Sequence, residues 1–214
     1  MSVDFLILGD DERASIEAFM RLAAAADEFQ MYAHNHATRV AKLADELAKR
    51  FHFGRVDRLA LHLAALAHDL GKMAMNRDYI KRRAPLSEEE RLDLTRHPVI
   101  AEQEAARAGA DRSTQLIIRW HQEWWNGTGY PDALRGAQIP LAARILHVVE
   151  SYSALTDSRP FRPARKAEEA RAYLIEWAGL EFDPRVVHSF LALDSLDELR
   201  AYTETEGEAI AVGI

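Results

Sequence analysis

The chain has 214 residues, with 27 Lys plus Arg against 34 Asp plus Glu, nine His and no Cys. At about 150 residues per domain this length suits one domain with short additions, and the missing thiol excludes disulfide scaffolds, thiolate zinc sites and thiol catalysis. A formal charge of −7 argues against a general nucleic-acid binder, so no DNA partner is expected, though a local basic pocket for a small anion stays open.

Val3 to Leu8 reads as a short strand or extended arm; its acidic neighbours exclude a secretory signal. Asp10 or Asp11 can cap a helix to about Asp27, with Ile16, Phe19, Met20, Leu22 and Ala23 on its apolar face. From His36 to about Phe51, Val40, Leu43, Ala44 and Leu47 repeat at helical spacing. Val56 to Leu70 is apolar on several faces, which predicts a central buried helix, and Gly71 is expected to end it. Ser87 and Glu90 form a capping box, and Pro98 breaks or restarts the helix that follows. Asp111 to about Gln122 is helical, Gly127-Thr128-Gly129-Tyr130-Pro131 is a loop, and Pro140 opens a helix reaching Leu155. Two more helices are predicted, Pro163 to Trp177 and Asp183 to Leu193, before an acidic tail. The class is all-α: an N-terminal arm and helix over 1–29, a main helical domain over 30–195 and a tail over 196–214. No apolar run approaches the ~20 residues of a membrane span, so a soluble cytoplasmic protein with no membrane partner is expected.

Four histidines form a spaced series, His36, His68, His97 and His121, joined by Asp69 and Glu150. Each falls on a different predicted helix or its end, and helices of a bundle can converge such side chains on one interior site. Four imidazoles and two carboxylates suffice for two divalent ions if Asp69 bridges them; without thiolate they favour iron or manganese. His34, His52, His62, His147 and His188 are read as ordinary surface or core residues.

The chain resembles the HD-domain metal-dependent phosphohydrolases, specifically the HD-GYP subfamily. The matching segments are His36-Ala37-Thr38-Arg39-Val40, His68-Asp69-Leu70-Gly71-Lys72, His97-Pro98 and His121 through Pro131. Arg144-Ile145-Leu146, Glu150, Ala154-Leu155, Ser158 through Arg162 and Phe182-Asp183-Pro184 follow in the same order. The resemblance implies an HD-domain helical bundle. It also implies hydrolysis of cyclic di-GMP to pGpG or onward to GMP, by hydroxide generated between two metals. On this reading His36, His68, Asp69, His97, His121 and Glu150 hold the metals, with Gln122 beside them. Asp69 and Lys72 serve catalysis, while Lys72, Tyr130, Arg159 and Arg162 contact substrate. Tyr130 can equally pack or meet a protein partner through the Gly-Tyr-Pro loop, and an oligomer is compatible. Trp124 and Trp125 can stack on guanine or anchor the loop.

Four positions depart from the family pattern. Gln122 stands where the family has a second adjacent histidine, Glu150 where it has Asp, and Asn126 where it has a loop Asp. Tyr32 stands where some members carry a Glu that holds a third metal. These departures leave open a second reading, a domain that binds nucleotide or a partner with little hydrolysis.

Overall fold

A computed structural model describes residues 8–33, 35–160 and 162–193. The arm before Leu8, His34 and the acidic tail lie outside the described residues. The chain runs through α1 (Asp10–Phe29), α2 (His36–Arg50), α3 (Arg55–Ala67), α4 (Leu70–Met75), α5 (Glu88–Leu94) and α6 (His97–Arg107). It continues through α7 (Arg112–Trp120), α8 (Leu141–Thr156), α9 (Ala167–Glu176) and α10 (Pro184–Leu191). Short 3-10 turns occupy Asp78–Lys81 and Gly136–Gln138, and no strand occurs among the described residues beyond two isolated bridges. The all-α expectation therefore holds. Among the described residues no helix is long and apolar enough to cross a membrane.

Local chemistry sets most boundaries. Asp10, Asp11 and Glu12 supply an acidic first turn to α1, and the Glu12 carboxylate accepts the Gly9 N–H at 3.0 Å. Ser87 and Glu90 cap α5 reciprocally, as their spacing predicts. Pro98 sits in the first turn of α6, where its missing N–H costs nothing. Asp111 accepts from Thr114 N at 2.7 Å to open α7, and Asp183 accepts from Arg185 N at 2.8 Å to open α10. Three helices are shorter than their periodicity suggests: α7 stops at Trp120, α9 starts at Ala167, and α10 ends at Leu191.

α3 is the central helix, with Ala60 through Ala67 buried on all faces. α2 packs on α3 and α8, α7 on α3 and α6, and α4 on α6. α1 contributes Ile16, Phe19, Ala23 and Ala26 to the same core, each a spacing of three or four from the next. Met20, expected on that face, is 44 % exposed.

Gly71 corrects the sequence reading. α3 ends three residues earlier, His68 and Asp69 form the joint, and Gly71 lies inside α4. A Cβ at Gly71 would sit 2.0 Å from His97 O and 2.8 Å from Ala101 N. The glycine lets the backbones of α4 and α6 touch, which draws His97 towards the His68–Asp69 joint.

Candidate metal centre

The four histidines of the series all stand at helix ends. His36 opens α2, His68 follows α3, His97 opens α6 and His121 follows α7. Three rings are locked by the carbonyl three residues earlier: Nδ1 of His68 donates to Ala65 O at 2.8 Å, His97 to Leu94 O at 2.9 Å and His121 to Ile118 O at 2.6 Å. A carbonyl only accepts, so Nδ1 carries the proton and Nε2 keeps a lone pair. His36 Nδ1 lies 2.6 Å from Asp157 Oδ2. All four Nε2 atoms are buried without a hydrogen-bond partner.

These rings form a connected chain. Centroid separations are 5.7 Å for His36–His68, 5.6 Å for His68–His121 and 5.3 Å for His97–His121. Asp69 closes the group: its Oδ2 is 3.4 Å from His68 Nε2, and ligand atoms of His36, His68 and Asp69 all lie within 4.8 Å of one another. An unpaired buried polar group costs about 1–3 kcal/mol. Four such acceptors beside a carboxylate are a donor set that fits a cation. Glu150 lies on α8 and lines an adjoining cavity of about 270 Å³ with Lys72, His97, Gln122, Tyr130 and Tyr173.

The electrostatics keep two of the imidazoles, His97 and His121, in their neutral ligand form. Burial, with Lys72 nearby, pushes His97 down to about 3. Burial and the neighbouring His97 and His68 hold His121 well below its ordinary value. Burial opposes charge on both His68 and Asp69, but their mutual attraction outweighs it, raising the imidazole and lowering the carboxyl. Lys72 reinforces the carboxylate, with Nζ 2.6 Å from Asp69 Oδ1.

A second layer of side chains orients the first; the sequence reading lacks Gln30, Asp27 and Asp157 there and names Tyr32, Arg159 and Arg162 in other roles. Asp157 is buried and splits its oxygens between His36 and Arg39 NH2, each at 2.6 Å. Arg39 also donates to Ser153 O at 2.7 Å, tying α2 to α8. Gln30 Nε2 donates to Asp69 Oδ2 at 2.6 Å, and Asp27 accepts the Ala37 N–H at 3.1 Å. Tyr32 stacks on His36 at 4.0 Å with the rings 2° from parallel. The Arg159 guanidinium lies 3.8 Å from the Tyr32 ring centre and donates to its hydroxyl. Arg162 donates to Ala154 O at the end of α8, and the main chains of Arg159 and Arg162 pair at 2.8 and 2.9 Å.

The Gly-Tyr-Pro loop is built rigidly against this centre. Gly127 has φ +85, and a Cβ on Gly129 would fall 2.2 Å from Trp124 N. Glu123, buried, accepts from Asp132 N at 2.6 Å and Leu134 N at 2.9 Å. Asn126 Oδ1 accepts the Thr128 N–H at 2.9 Å, a turn that needs no charge. Trp124 packs edge-on to Trp177 at 6.0 Å, and Arg144 lies 5.6 Å over Trp125, so both indoles anchor the loop. Tyr130 turns inward: its hydroxyl donates to Gln122 Oε1 at 3.3 Å and its ring meets His97 at 6.1 Å. The histidines read as ordinary stand apart from the series. His52 and His188 are exposed, His62 is buried beside Asp45, and His147 bonds Glu123 O at 3.1 Å and Glu181 at 3.2 Å.

Comparison with known proteins agrees with this geometry. A family profile described as HD domain matches residues 17–186. The chain is 34% identical over 141 residues to a cyclic di-GMP phosphodiesterase of Vibrio cholerae, covering 63% of this chain and 29% of that protein. It is 32% identical over 187 residues to the cyclic di-GMP phosphodiesterase response regulator RpfG of Xanthomonas campestris, covering 86% of this chain and 49% of that one. Another relative in Vibrio cholerae is named as a 3'3'-cGAMP-specific phosphodiesterase. Among solved structures, the HDGYP protein Bd1817 of Bdellovibrio bacteriovorus matches with TM-score 0.63 at 20% identity, over 88% of this chain and 62% of its own. The chain spans about a third to a half of the length of the curated relatives it matches. With the helical frame, the converging histidines and the profile in agreement, the chain belongs to the HD-domain family.

Proposed function

We propose that this chain is a metal-dependent phosphodiesterase hydrolysing cyclic di-GMP to pGpG, GMP or both. The observation that supports it most is the set of four buried, unpaired Nε2 lone pairs beside Asp69. On this reading His36, His68, Asp69, His97, His121 and Glu150 would hold two divalent ions. An imidazole and carboxylate set without thiolate suits iron or manganese. Such ions, when bound, lower the pKa of water towards neutrality and offset phosphate charge.

The chain's own residues supply the rest. Lys72, mostly buried and facing the cavity that Glu150 lines, carries a fixed positive charge for a phosphate oxygen. Asp157 and the three carbonyls hold the imidazoles in one tautomer. Tyr130 closes the cavity beside His97, and Arg159 borders the centre through Tyr32.

Protein loaded with Mn(II), or with Fe(II) anaerobically, is expected to release pGpG or GMP from cyclic di-GMP, read by chromatography. His68→Ala and Asp69→Ala are expected to abolish release. A parallel assay with 3'3'-cGAMP tests base preference. One observation favours a second reading, a binding domain with little turnover: Gln122 Oε1 accepts from the Tyr130 hydroxyl at 3.3 Å. Nucleotide binding by the metal-loaded protein without product would select that reading.

A further inference from the structure

Asp69 is held on both oxygens, by Lys72 Nζ on Oδ1 and by Gln30 Nε2 on Oδ2, each at 2.6 Å. Lys72 comes from α4, whereas Gln30 comes from the residue that terminates α1. Gln30 is fully buried, and its Oε1 is buried without a partner. Its orientation is fixed by chemistry: an ionised carboxylate only accepts, so the amide nitrogen faces Asp69 and the amide oxygen turns away. Three residues earlier on the same helix, Asp27 accepts the backbone N–H of Ala37, next to His36. The last turn of α1 thus touches both the carboxylate and the start of the helix that carries the first histidine.

We propose that Gln30 is a positioning residue for the metal centre, fixing the Asp69 carboxylate with its amide N–H. The inference rests on the metal-dependent reading above and deepens it. A carboxylate has about four lone-pair sites. With one given to Lys72 and one to Gln30, the remainder keep a defined direction. Without Gln30, Oδ2 loses the donor that fixes its direction, 3.4 Å from His68 Nε2.

The test is Gln30→Leu, similar in size and unable to hydrogen-bond, with Gln30→Met as a second variant should the first fail to fold. Co(II) serves as the probe, its affinity and visible absorption measured by titration of the metal-free protein. Both variants are expected to bind Co(II) about 10–100-fold more weakly, with an altered spectrum. The metal-free melting temperature should stay near the parent's, because the variant removes an unpaired buried oxygen together with one hydrogen bond to Asp69. Phe19→Leu, in the same helix and core, should lower the melting temperature and leave Co(II) affinity and spectrum unchanged. Parental affinity and spectrum in both Gln30 variants, while the parent binds Co(II), would overturn the inference alone. A parent that binds no Co(II) would overturn the metal reading with it.

Discussion

A histidine acts as a ligand only when its ring is neutral and one nitrogen is left free in a known direction. Three of the four imidazoles are oriented locally, through the carbonyl three residues back, so their direction survives most changes elsewhere. His36 depends instead on Asp157, which also neutralises Arg39. Asp157→Asn keeps the volume and removes the charge both partners face. Breaking a buried pair in this way costs about 3 kcal/mol, and loss of an outer-layer carboxylate weakens metal binding about tenfold or more. Urea unfolding and Mn(II) titration measure the two effects, and parental values in both would refute this role. The contrast also explains what could be read from sequence. His68-Asp69 and His97-Pro98 carry their own local pattern, whereas Asp157 lies 121 residues from His36 and Gln30 is a neutral side chain 39 residues from Asp69. A contact of that span leaves no spacing to recognise.

Among the elements, the Gly-Tyr-Pro loop shows how a segment without regular structure is kept fixed. Its far end is clamped to α7: Arg119 donates to both Asp132 oxygens at 2.7 and 2.8 Å, and Trp120 Nε1 donates to Asp132 at 2.7 Å. The Arg119 guanidinium, then burial in opposition, then Trp120 set the Asp132 carboxyl, which falls to about 2. A carboxyl lowered by folding stabilises the fold above its unfolded value near 4, and that contribution is lost as pH falls towards 2. Asp132 is partly exposed, so solvent screens the pair and about 0.5–1 kcal/mol is the expected size. Asp132→Asn should lower stability by that amount at pH 7 and flatten its fall between pH 4 and pH 2. Denaturant midpoints across that range test it; parallel curves for parent and variant would reject the clamp. The loop was legible because glycine and proline announce it. Gly71 was not, since a glycine ending a helix and a glycine admitting a neighbouring backbone look alike until His97 O is placed 2.0 Å from its absent Cβ.

For the molecule as a whole, several helices bring their ends together around the histidine series, beside the apolar core. α2, α3, α6 and α7 each deliver one imidazole, with α8 beside them, so a cation there would tie together elements distant in sequence. The metal-free fold leaves four Nε2 lone pairs unpaired, and a ligand that binds only the folded state stabilises it by mass action. At a free concentration a thousandfold above the dissociation constant this amounts to ~4 kcal/mol. For a domain of this size each kcal/mol moves the melting temperature by about 2–4 °C. Mn(II)-loaded protein is therefore expected to melt about 8–16 °C above the chelator-dialysed protein. Asp69→Ala should lose most of that increment, because the group within 4.8 Å then keeps its two imidazoles and loses its carboxylate. Calorimetry with and without metal decides the matter: equal melting temperatures for the parent would mean that the converging histidines hold no ion, and the hydrolytic reading would fall with them.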